Sequence, residues 1–260
     1  MPLRGTRRAL LASATVDEFS PLDIPDIAFW FDASDASSVT LNGGDVSQIN
    51  DLSGNGRHAV QGTAGRQPAY TEAAINGLAA IVFTGANDDN LQIGSALGIC
   101  RNVAAFSFWG VVKPTSFAAA MSFFQILGGT GQNRFVCQAA ATSGRLTISS
   151  RRLDADTTSA VTSATTAFSA GTAAFVYVGV DYDASSAVVQ VNSTSAAVDP
   201  AWAGGGNTSD TDSSATPLLG RPTAQQFTGS IGECGAHPRL LTADEIIELR
   251  THCTAKWGTS

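Results

Sequence analysis

Between Phe29 and Val60, short apolar runs alternate with clusters of turn-forming residues, and no stretch sustains the apolar spacing of a helix. Phe29, Trp30 and Phe31 form one run. Asp32, Ser34 and Asp35 close it with short polar side chains that hydrogen-bond their own backbone. Asn42-Gly43-Gly44 is a turn of residues that tolerate positive φ, and Asp51-Leu52-Ser53-Gly54-Asn55-Gly56 repeats the device before the apolar segment at Ala59 and Val60. A chain punctuated this often is predicted to be all-β, built from short strands packed face to face.

The same grammar continues downstream. Ile81 to Phe83, Phe106 to Val112, Ser122 to Leu127, Phe135 to Ala139 and Leu146 to Ser149 read as strands, and Trp109 is expected in the core of the sandwich. From Ala174 to Val191 the pattern is a strand pair. Val176, Val178 and Val180 share one face, Phe175, Tyr177 and Asp181 the other, and Asp183 to Ser186 turns the chain. Residues 151–171 read as weakly specified strand and loop, and residues 199–217 as the longest irregular segment. Near the end, Thr242 and Glu245 form a capping box; Ile246, Leu249, Cys253 and Trp257 make an apolar stripe, and Gly258 stops the helix.

With 43% hydrophobic and 14% charged residues, 260 residues suffice for one large sandwich domain. The net charge of -7, with no basic cluster after residue 8 beyond Arg151-Arg152, argues against a nucleic-acid partner. No stretch approaches the roughly 20 apolar residues that span a bilayer. Cys100, Cys137, Cys234 and Cys253 lack metal or redox spacing and read as free buried thiols, a Cys234 to Cys253 bridge being the alternative. His58, His237 and His252 share no metal motif and read as loop or surface residues.

Three groups of residues carry a resemblance. They are Trp30 to Asp35 with Asp51 to Ala59, Gln61 and Pro68; Asn76-Gly77 with Ile81 to Leu91; and Phe227 to Glu233 with Arg239, Leu241, Thr242, Glu245 and Lys256-Trp257-Gly258. Over about residues 24–258 the chain resembles the laminin-G-like, concanavalin A-like lectin-glucanase jelly-roll modules of bacterial and phage proteins. The resemblance implies a two-sheet antiparallel jelly-roll sandwich over residues 23–260 with a short C-terminal helix. It further implies a non-catalytic structural or adhesive protein on the surface of a phage or phage-like particle, binding cell-surface polysaccharide, and a homo-oligomer or part of a larger assembly. The alternative is a secreted, extracellular bacterial lectin-like module; a glycoside hydrolase ranks below both. The alternating E-x-D-x-x-E acids of hydrolases with this fold are missing, and Glu233 has no acidic neighbour in sequence.

Residues 1–22, with three arginines and a short apolar run, read as an N-terminal arm that contacts other particle subunits or folds back on its own sandwich. Trp202, beside a glycine run that ends at Asn207, is the candidate for stacking on a sugar, so Trp202 and Asn207 form the candidate glycan site; plugging the sandwich edge is the stronger role for Trp202. Asn87, Asp88, Asp89 and Asn90 concentrate oxygen atoms that suit Ca²⁺, and the same residues are favoured in turns, which is the stronger reading. No cofactor other than Ca²⁺ is expected. Asp181 and Asp183 read as hairpin residues.

Overall fold

The computed structural model describes residues 19–94, 99–127, 133–152, 159–162, 169–192, 196–202, 216–221 and 223–259. Along the chain β1 is Phe29–Asp32, β2 Val39–Asn42, β3 Asp45–Ile49, β4 Ala59–Val60, β5 Ala69–Ile75 and β6 Leu78–Phe83. Then come β7 Asn90–Ile93, β8 Ala105–Pro114, β9 Met121–Leu127, β10 Asn133–Ala139, β11 Leu146–Ser150 and β12 Ser159–Thr162. β13 Ala174–Asp181, β14 Ser186–Val191, β15 Ala197–Asp199, β16 Thr216–Gly220 and β17 Gly229–His237 complete the strands, and α1 is Ala243–Trp257.

Antiparallel pairing sets these strands in two layers. In the first, β17 has β8 along one edge and β6 and β1 along the other, while β13, β14 and β15 follow β8 outward. The second runs β2, β3, β4, β7, β16, β9, β10, β11, β12. β5 joins β6 to β3 through the Asp45 and Ala69 pair, so the hydrogen-bond ladder passes from layer to layer without a break. The all-β sandwich predicted from the turn spacing is therefore the observed architecture.

Between the layers lies a core of Phe29, Phe31, Phe106, Phe108, Phe124, Phe135, Val176, Val178 and Val180, among others. The Phe108 and Phe124 rings stack at 4.5 Å between centroids, one from each layer. A second core covers the outer face of the first layer. There Trp109, Val111, Phe175 and Tyr177 meet Leu249, Cys253 and Trp257 of α1. β8 and β13 are thus buried on both faces, which explains why their sequences are almost continuously apolar. The alternation read from Phe175 to Val180 holds, with the valines inward and the aromatics toward the helix. Trp109 is the correction: it packs under α1, not between the layers, because it alternates with Phe108 along β8.

The helix forms as its sequence dictates. The Thr242 hydroxyl accepts from the Glu245 amide, Glu245 accepts from the Thr242 amide, and Gly258 caps the other end at φ 67°. Arg239 adds a two-pronged ion pair to Glu245. Of the expected arm, Phe19 to Leu22 lies on the domain: Ser20 caps a short 3-10 turn over Pro21–Asp23, and Pro21 is buried. Residues 1–18, which carry the three arginines, lie outside the described residues. None of the four cysteines is in a disulfide, and Cys234 lies in the inter-layer core and Cys253 in the helix-side core, on opposite faces of one sheet.

Close approach of α1 and β1 to β17 depends on small residues. A Cβ built at Gly235 would lie 2.8 Å from the Trp109 ring and 2.9 Å from the Phe29 carbonyl oxygen. Gly235→Ala should therefore destabilise the protein by about 1–3 kcal/mol through overpacking, read as a lower urea midpoint at unchanged slope. A midpoint equal to wild type would contradict the packing described.

Candidate functional site

The site begins with an irregularity in β17. Its register against β8 shifts between Ile231 and Cys234. Without the shift, strict alternation would place Glu233 on the face of Ile231, inside the inter-layer core. With it, Ile231, Cys234 and Ala236 face that core, while Glu233 turns toward the helix. Gly232 leaves room there, since a Cβ on it would lie 2.7 Å from the Trp257 ring.

Glu233 is 0% exposed and accepts from four side chains. The indole N–H groups of Trp30 and Trp257 donate at 2.8 Å each, Lys256 Nζ at 3.1 Å, and His252 Nε2 lies 3.2 Å from both carboxylate oxygens. Lys256 also bonds Asp32, which accepts from the backbone and hydroxyl of Ser34. Burial by itself would raise the Glu233 pKa, but the His252 hydrogen bond and the Lys256 ammonium outweigh it and hold the group at about 2. An ionised carboxylate only accepts, so His252 carries its proton on Nε2.

His252 and Lys256 reach the surface in a groove of about 500 Å³, lined by Phe19, Ile247, Glu248, Thr251, His252, Ala255 and Lys256. Phe19 stands edge-on to the His252 ring at 5.8 Å. The groove is thus an aromatic wall facing one polar and apolar face of a helix, with the Glu233 network behind it. Two smaller hollows, each near 250 Å³ or below, lie elsewhere: one beside Asn55, Arg57 and Pro238, the other beside Lys113, Asn76 and Trp257.

The turn motifs that carry the resemblance are structural here. Asp51 accepts from the amides of Trp30, Ser53 and Arg57, and Asn55 donates to the carbonyls of Ile27 and Ala28. This loop therefore fixes the backbone of Trp30, whose indole Glu233 fixes from the other side. Asp181 accepts from the Ala184 amide, as a hairpin residue does.

The residues singled out in sequence do not converge. Trp202 is 2% exposed and stands edge-on to Tyr182 at 5.4 Å, so its ring faces are inside the protein and not open to a sugar. Asn207 lies outside the described residues. In the Asn87 to Asn90 loop, Asp89 accepts from the Thr84 amide, Asp88 from Gln226, and Asn90 from Gln61 while donating to the Asp88 carbonyl. These bonds form a turn with Asp88 at φ 59°. No group of three or more His, Cys, Asp or Glu side chains that could hold a metal occurs among the described residues.

Of the three histidines, His237 departs from the expectation of a loop or surface residue, whereas His58 lies in a loop and His252 lines the surface groove. His237 is 0% exposed, with Nδ1 3.3 Å from the Pro25 carbonyl and Nε2 unpaired. Burial lowers its pKa to about 4. His58 Nδ1 accepts from the Asp51 amide. Sequence reasoning missed the Glu233, His252, Lys256 and Asp32 set because it spans more than 200 residues. The available signals were the Ile231, Cys234, Ala236 spacing, which marks the bulge, and the His252 to Lys256 spacing of one helical turn.

The fold recurs in the botulinum neurotoxin serotype G binding domain, at 12% identity and a TM-score of 0.61 over 89% of this chain and 53% of that one. It recurs in the serotype D ligand binding domain in complex with N-acetylneuraminic acid, at 11% identity and a TM-score of 0.60 over 90% and 54%. Trypanosoma rangeli sialidase matches at 12% identity and a TM-score of 0.54 over 85% and 32%. The chain spans about half the length of the two toxin domains. No protein-family model matches the sequence, and no curated protein matches it. The likeness establishes an antiparallel jelly-roll sandwich fold.

Two groups make stability pH-dependent in the same direction. Glu233 contributes fully above its unfolded pKa near 4.5 and loses that contribution as pH falls toward about 2; His237 does the same between 6.5 and about 4. Each loss amounts to roughly 3 kcal/mol. Urea melts from pH 7 to 3 should show the decline begin below pH 6.5, and His237→Gln should flatten its upper part. A flat profile down to pH 4 in wild type would contradict the burial of His237.

Proposed function

We propose that this protein is a non-catalytic carbohydrate-binding module that takes its ligand in the groove beside α1. The observation that carries the reading is the groove itself: an aromatic wall at Phe19 faces Glu248, Thr251, His252 and Lys256 on one helix whose placement Glu233 fixes. Sugars are bound by such combinations of a ring face and a few pre-positioned polar groups. The shared fold with toxin binding domains, one of them in complex with a sugar acid, supports the class of ligand. The motifs at Trp30 to Asp35, Asp51 to Ala59 and Phe227 to Glu233 support the finer membership among laminin-G-like modules.

The acids near the groove do not suit hydrolysis. A glycosidase acid must hold a proton near neutral pH and give it up, whereas Glu233 is ionised far below that and saturated with donors. Asp32 is tied to Lys256 and Ser34. These contacts favour a structural role for both carboxylates and leave Glu248 as the one acid lining the groove among the described residues, without the second carboxylate that hydrolysis needs. Attachment of residues 1–22 to a larger assembly remains part of the proposal, and the packing of Phe19 into the groove wall links any such contact to the ligand site.

A glycan array probed with the full chain should give saccharide binding. Phe19→Ala should weaken that binding about tenfold or more, in line with the loss of one aromatic stacking contact. An array without a single bound saccharide, or a Phe19→Ala protein that binds as wild type does, would overturn the reading.

A further inference from the structure

The hydrogen-bonding capacity left open in the groove is almost all of one kind. Thr251 donates its hydroxyl proton to the Ile247 carbonyl at 2.7 Å, which leaves the oxygen as an acceptor. His252 gives its Nε2 proton to Glu233, and among the described residues its Nδ1 makes no hydrogen bond, so that atom is left to a ligand. Glu248 is exposed and, among the described residues, has neither a hydrogen bond nor an ion pair. Lys256, the one cation lining the groove among the described residues, directs its ammonium at Asp32 and Glu233.

Charge points the same way as the acceptors. Glu248 is free, and Lys256 faces two carboxylates, so the groove and its floor carry more negative than positive charge. A sugar acid entering it would bring another anion next to Glu248, and among the described residues no cation lining the groove other than Lys256 is there to receive it. A ligand that brings donors and a positive charge meets complementary groups throughout.

We propose that the groove takes an amine-bearing saccharide, a hexosamine unit whose amino group is free and protonated, with the ammonium on the Glu248 carboxylate and sugar hydroxyls on Thr251 and His252. This rests on the carbohydrate-binding reading above and narrows its ligand. It also separates this chain from the toxin domain that holds N-acetylneuraminic acid, whose carboxylate the groove is not built to receive.

Calorimetry on the full chain at about pH 7, where amines of this kind still carry a proton, tests it. The probes are a glucosamine trimer, an N-acetylglucosamine trimer, 3'-sialyllactose and a synthetic peptide with the sequence of residues 1–18. The glucosamine trimer should bind about tenfold more tightly than the acetylated one. Glu248→Gln, on an exposed helix position, should bring the two to within about twofold. Equal affinities in wild type, a preference for sialyllactose, or a glucosamine preference that survives Glu248→Gln would overturn the amine site and leave the carbohydrate reading standing. If none of the saccharides binds, with or without capture of the basic peptide, both fall.

Discussion

The structure depends on one buried negative charge. Glu233 sits at the junction of β17, β1 and α1, and removing a carboxylate from water carries a large penalty unless its lone pairs are filled. Here two indoles, an imidazole and an ammonium fill them. Each donor comes from an element that must be in place for the charge to be tolerated: Trp30 from β1, and His252, Lys256 and Trp257 from α1. The network therefore selects one position of the helix on the sheet, because any slide along its axis would leave a buried charge unpaired. Its net contribution to stability is a separate matter, since an apolar cluster of equal shape could pack as well.

That constraint turns a two-layer sandwich into a three-layer one. In a sandwich open on both sides, β8 and β13 would alternate apolar with polar residues; here α1 covers the outer face, and Trp109, Val111, Phe175 and Tyr177 are buried beneath it. The cover also closes the outer sheet face to a ligand in this region. What remains for recognition is the exposed side of the helix together with Phe19, which explains why the groove lies beside α1 and not upon the sheet.

Much of the fold was legible in the sequence, because its signals are local. The valines and aromatics of Phe175 to Val180 alternate in the strand as they do in the sequence, and Thr242, Glu245 and Gly258 bound the helix as their capping chemistry requires. The candidate site was not legible, because its members are brought together by long-range packing. Trp202 beside a glycine run was the candidate stacking platform, with a packing role ranked above it, and the interior position it takes next to Tyr182 follows the packing role because a Trp buries so much apolar area. Glu233 looked isolated because its acidic companion, Asp32, lies on the neighbouring strand in register with it. His237 looked like a surface residue before a proline, whereas its place in a strand buried along its whole length takes it inside.

The docking of α1 by Glu233 is tested most directly by native-state amide hydrogen exchange in wild type and Glu233→Gln. The prediction is that amides in α1 from Leu249 to Trp257 lose protection in the variant, while those of β9, β10 and β11 in the other layer keep theirs. Unchanged protection across α1, or an equal loss throughout both layers, would contradict the role given to this carboxylate.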